Sequence, residues 1–103
     1  ALSSAASDVY KRQFGDTPIQ FAADAYDCVY VIKAAAEKED VTPDKSASDI
    51  CDALKKGMTE ITYDGLTGKS ITWSEDGEPT KDPTVVVVKS GEYQVLQAED
   101  AAE

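Results

Sequence analysis

The sequence predicts an α/β chain in which two amphipathic helices are followed by several short strands. Three observations predict it. Apolar residues recur at helical spacing between positions 21 and 36 and again between 47 and 54. After Met58 the texture changes, with Gly65 and Gly68 breaking the chain into short pieces. The run TVVVV at positions 84–88 is β-branched throughout, a composition that suits strands.

The first helix is expected to open at Thr17 and Pro18, with Asp16 or Thr17 as cap and Pro18 in the first turn. Phe21, Ala25, Cys28, Val29, Ile32 and Ala36 then fall at i, i+4, i+7, i+8, i+11 and i+15, one broad apolar stripe. Its width suggests a helix packed on a sheet. Asp24, Asp27 and Lys38 lie on the other side and read as solvated. Pro43 marks the stop. Ser46 or Asp44 caps a second helix, whose Ala47, Ile50, Cys51 and Leu54 share one face, and Gly57 closes it.

The strands come next. SITW at 70–73 alternates, Asp76 and Gly77 make a hairpin-type turn, and Pro79 and Pro83 bound a polar link. The valines at 85–88 read as a strand buried on both faces. Ser90 and Gly91 turn the chain into a last strand, EYQVLQ, before a polar tail at 98–103.

Composition narrows the function. The 103 residues carry a formal net charge of −10, which repels a phosphate backbone and disfavours nucleic acid as partner. No apolar run has the length of a membrane span. With no histidine, and with Cys28 and Cys51 far apart in sequence, no metal site is expected, and the commonest general base is missing. No residue stands out as catalytic, no motif calls for a cofactor, and an enzyme is not expected. DGLTGKS looks like a phosphate-binding loop at first sight, but Tyr63 occupies the place of the required first glycine and a strand follows instead of a helix. Cys28 and Cys51 read as buried free thiols, with a disulfide between the helices as the other possibility. Trp73, Tyr63 and Tyr93 read as core aromatics. Phe21, in the first turn of the first helix, reads either as core or as the wall of a small-ligand pocket at a helix N-terminus.

Two resemblances add to this. Residues 3–13, SSAASDVYKRQ, resemble the translation of an adapter and transposon end used in shotgun sequencing libraries, as in metagenomic fragments. Read so, residues 1–13 stand apart from the fold and without structure, and Lys11, Arg12 and Asp8 contribute +1, leaving −11 on the rest. FAADAYDCVYVIKAAAEK followed by DGLTGKSITWSEDGEPTKDPTVVVVKSGEYQVL resembles the C-terminal portion of type I periplasmic binding proteins. It is most similar to the branched-chain amino-acid (leucine/isoleucine/valine-type) substrate-binding proteins of ABC importers. Tyr26, Asp27, Val29, Ala53, Leu54, Gly65, Gly68, Asp76 and Gly77 match that pattern in order, with Cys28 in place of the usual alanine.

That resemblance implies a partial lobe of a two-lobed α/β fold over residues 14–97, the C-terminal part of a solute-binding domain. It implies a small ligand such as an amino acid, an ABC permease as partner of the full-length protein, and an extracytoplasmic location, with membrane contact only through an upstream tether. Phe21 matches a position near the cleft where an aromatic contacts ligand. The other reading of the chain is a small acidic α+β module for protein interaction or ligand sensing, without a transport role.

Overall fold

The computed structural model describes residues 5–96. Three helices, α1 (Ala5–Phe14), α2 (Gln20–Lys38) and α3 (Ala47–Glu60), precede four short strands, β1 (Thr72–Trp73), β2 (Pro79–Thr80), β3 (Val86–Lys89) and β4 (Glu92–Val95). The α/β expectation of two long helices followed by strands is met. The stretch expected to be unstructured is instead helical from Ala5 to Phe14. Nothing in SAASDVYKRQ breaks a helix: it holds no glycine or proline, Asp8 lies in the first turn, and Lys11 and Arg12 lie in the last, each favourable against the helix dipole. The polar tail at 98–103 lies outside the described residues.

The second helix begins later than its sequence suggests. Pro18 disfavours helical backbone at the residue before it, and the chain stays extended to Ile19, which takes the cap position with no side-chain cap. Asp16 Oδ1 only accepts from the neighbouring Thr17 N–H at 2.7 Å. The end of α2 comes before Pro43. Val41 N–H donates to Ala36 O at 2.9 Å and Asp40 N–H to Glu37 O at 3.4 Å, with Asp40 at φ 48° in the position glycine usually takes. Ser46 caps α3, accepting from Asp49 N–H at 3.1 Å.

Gly57 does not close α3. The helix runs on to Glu60 with Gly57 buried inside it. A Cβ on Gly57 would sit 2.6 Å from the Ala35 carbonyl oxygen, so its bare backbone is what lets α2 and α3 meet. Lys56 Nζ to Glu39 at 2.7 Å and Lys38 Nζ to Glu60 at 3.7 Å link the same helices at the surface. Both lysine ends are open to solvent, so the pairs contribute only about 0–1 kcal/mol each.

The buried row of α2 is Ala23, Asp27, Val31 and Ala35, spaced by four. This overturns the expected orientation. The stripe read as core (Phe21, Ala25, Cys28, Val29, Ile32) is exposed. Helical period locates an apolar face, but the small Ala23 and Ala35 admit close neighbours, and that decided which face α3 covers. The hydrophobic core is Ala23, Val31, Ala35 and Ile71.

From α3 the chain reaches Tyr63, which exchanges two 2.9 Å backbone hydrogen bonds with Ile71. Inside the loop they close, Gly65 N–H donates to Gly68 O at 2.9 Å and Ser70 N–H to Asp64 Oδ1 at 2.8 Å. β1 continues from Ile71 and pairs antiparallel with β2 in the register Thr72–Thr80 and Trp73–Pro79. The turn at Asp76 and Gly77 is as expected, with Gly77 at φ 84°. The polar link after it is partly strand: Pro79, which cannot donate, is tolerated in a two-stranded pair.

β3 and β4 form a second hairpin, Val86 opposite Val95 and Lys89 opposite Glu92. Ser90 at φ 54° and Gly91 at φ 81° supply the two left-handed residues of a type I′ turn. The valine run is not buried on both faces. Val85, Val86 and Val88 are exposed, and the hairpin packs on no other described element. Val86→Thr and Val88→Thr are therefore each expected to change stability by less than about 0.5 kcal/mol in urea titration. A loss above about 1 kcal/mol would show that the hairpin packs on the helices.

Candidate functional site

The most constrained polar centre is where α2 meets the loop 63–71. Asp27, 5% exposed, accepts four hydrogen bonds. Oδ1 receives Leu66 N–H at 2.9 Å and the Tyr63 hydroxyl at 3.3 Å, and Oδ2 receives Thr67 N–H at 2.8 Å and the Thr67 hydroxyl at 2.7 Å. Burial pushes this carboxyl up, but the donors from Leu66, Thr67 and Tyr63 outweigh it and hold it below the usual carboxylate range. The same contact raises the Tyr63 hydroxyl, first through burial and then through the adjacent Asp27 charge. Gly65 lies directly against the Asp27 carboxylate, where any Cβ would collide.

Asp27 is thus a structural clamp, not the solvated residue its sequence suggested. The available signal was its place in the Ala23, Val31, Ala35 row, where a lone acid among small apolar residues needs donors from elsewhere in the fold. Asp24 does stay half-exposed, 3.7 Å from Lys81 Nζ.

Phe21 is 77% exposed. It stands in the first turn of α2, which has neither a capping side chain nor an acidic residue. Among the described residues it does not pack in the core. It lines neither of two recesses found among the described residues. One, about 60 Å³, lies between Ser7, Tyr10, Pro18, Ala23, Tyr26 and Leu66. This is far below the ~300 Å³ at which ligand pockets begin. The other, about 430 Å³, is an open groove along α1 lined by Ala5, Ala6, Val9, Tyr10, Gln13 and Tyr26.

The remaining candidates separate. Cys28 and Cys51 are free and exposed, neither joined nor buried. Tyr63 and Trp73 are half-buried, whereas Tyr93 is 80% exposed on the second hairpin. Among the described residues no group of three or more histidine, cysteine or acidic side chains is placed to hold a metal ion. No helix among them is long and apolar enough to cross a membrane.

No family model and no curated protein matches the chain. Among solved structures it is similar to one described as a branched-chain amino acid ABC transporter from Rhodospirillum rubrum, at 27% identity and a TM-score of 0.63. The match covers 93% of this chain and 28% of that one, so the chain spans little more than a quarter of its neighbour's length. The fold is α/β, and it is similar to part of a larger protein described as a transporter. At this identity the particular likeness is to one region of that Rhodospirillum rubrum protein.

Proposed function

We propose that the chain is part of an extracytoplasmic solute-binding receptor that delivers an amino acid or similar small ligand to an ABC importer. The observation that carries this reading is the match over 93% of the chain to a branched-chain amino acid ABC transporter. The net charge of −10 and the shallow recesses among the described residues agree with a receptor whose cleft is finished by other parts of the protein. The partner would be the importer's permease. A self-standing interaction module is less favoured, because a core of Ala23, Val31, Ala35 and Ile71 is small for an independent domain.

In this reading Phe21 walls the ligand pocket. In open α/β architectures ligands lie beside helix N-termini and the carboxyl ends of strands. An exposed aromatic in an uncapped, acid-free first turn suits the apolar side of a zwitterion whose carboxylate is held nearby. The test is Phe21→Ala in the longer protein, read from the gene upstream, with amino-acid binding followed by calorimetry. The expected loss is about ten- to a hundredfold in affinity, ~1–3 kcal/mol. Unchanged affinity in a folded variant removes Phe21 from the site. Failure of the longer protein to bind any amino acid, amide or short peptide removes the receptor reading.

A further inference from the structure

We propose that the outer edge of β3 pairs with itself: β3 of one copy of this 103-residue chain takes β3 of a second copy as an antiparallel neighbour, giving a closed dimer. The inference concerns this chain alone and holds whether or not the receptor reading does.

The second hairpin is two-stranded, so among the described residues β3 and β4 each leave one edge open. The ladder fixes what the β3 edge presents. Leu96 N–H donates to Val85 O at 2.9 Å, and hydrogen-bonded positions alternate along an antiparallel pair. Val85, Val87 and Lys89 therefore turn their backbone groups toward β4, while Val86 and Val88 turn theirs outward. The devices that blunt an open edge are missing there. Positions 84–88 hold no charge, glycine or proline, and the register from Val86 to Lys89 is unbroken. Pro83 and Lys89 guard only the two ends.

Three observations select a second copy as the occupant. The segment complements itself: with Val87 on a two-fold axis, Val86 of each copy lies opposite Val88 of the other, and these residues exchange their outward backbone groups. The side chains agree. Val86 stands opposite Val95 and Val88 opposite Tyr93, all four exposed on one face, and pairing at β3 joins the two sets into a single apolar face. The charges agree as well. The chain carries −10, which repels a second copy, yet residues 84–96 hold only Lys89 and Glu92, which cancel. In the antiparallel pair the two Lys89 residues stand about 13 Å apart along the strands, beyond the ~8 Å over which charge is felt at physiological salt. Each chain enters β3 from the opposite end, and the hairpin packs on no other described element, so the acidic remainders stay apart. A contact through the exposed side of α2 would bring them together.

The test is sedimentation equilibrium of the whole chain under reducing conditions, which keep the exposed Cys28 and Cys51 from linking copies. Molar mass should rise from 11.0 kDa toward twice that value between about 10 μM and about 1 mM, as suits a small interface. Across the same range the Val86 and Val88 amides should slow in hydrogen exchange by about tenfold, while Val87, already paired with Gln94, should not change. Val86→Pro removes only an outward donor, and Val88→Lys sets two like charges beside the axis. Each should keep the circular dichroism of the native chain and remain at 11.0 kDa. Val88→Lys, which leaves the backbone whole, decides the matter where Val86→Pro alters the spectrum. A constant mass of 11.0 kDa in the native chain overturns the proposal. So does a dimer that survives Val88→Lys, and so does one lost in Ile32→Lys, which assigns the contact to α2. Growth past the dimer with thioflavin fluorescence overturns the closed pair in favour of open-ended fibrils.

Discussion

Asp27→Ala is expected to cost about 2–4 kcal/mol, the largest loss available from a single polar side chain in this chain. The substitution strands Leu66 N–H, Thr67 N–H and the hydroxyls of Thr67 and Tyr63 together. Each buried donor left without an acceptor costs about 1–3 kcal/mol, reduced here because water can reach the loop as it opens. With a core this small the loss is comparable to the whole stability. Far-UV circular dichroism at 25 °C should register lost helix, and added sulfate, which strengthens burial, should bring the variant into a measurable urea transition. Asp27→Asn separates charge from shape. Its amide keeps one acceptor but turns an NH2 toward at least one of the same donors.

The pH dependence follows from the direction of the shift. The folded carboxyl lies below its ordinary value, so its stabilising contribution is complete above the unfolded value near 3.9. It is lost as pH falls through the folded value. The stability gap between the native chain and Asp27→Asn should be constant from about pH 5 to 7 and should narrow below about pH 4. A gap that stays constant down to pH 2 would mean that the carboxylate is not the species the loop grips.

How much of this was legible beforehand depended on how local the deciding physics is. Both hairpin turns could be read because Asp76 with Gly77 and Ser90 with Gly91 determine their own backbone. The Ser46 cap could be read for the same reason. The buried side of α2 could not. Its periodic stripe is more apolar than the row actually covered, and the choice was made by a close approach at Ala35 and by four donors 36 to 40 residues away in sequence. The valine run shows the same limit. Its composition states a preference for burial that nothing among the described residues satisfies, just as the exposed stripe does. Sequence thus conveyed what each element wants, and the structure shows which wants are met inside this chain. For the candidate site, the position of Phe21 in a first turn was legible, but its exposure was not, because that depends on which way α2 faces.

The second large effect is at Gly57, where two principles predict opposite signs. In an isolated helix interior, Gly→Ala is favourable by about 1 kcal/mol, because alanine has less backbone entropy to lose. In this fold the new methyl would lie 2.6 Å from the Ala35 carbonyl oxygen and 3.1 Å from its Cα. Those are backbone atoms of a helix and cannot rotate aside, so α2 and α3 must separate. The separation loosens Val31 and Ala35 in the core and lengthens the reach between Lys56 and Glu39. Overpacking of this kind costs about 1–3 kcal/mol, and a backbone contact places it at the upper end. Gly57→Ala should therefore destabilise the chain by about 1–2 kcal/mol net, and Gly57→Val by more, since valine adds bulk and has a poorer helix propensity. A peptide of residues 46–61 carries the α3 sequence without α2 and supplies the discriminating comparison. There Gly57→Ala should raise helicity by circular dichroism while the same change lowers the urea midpoint of the whole chain. If both rise together, the close crossing at Ala35 is not what holds Gly57 in place.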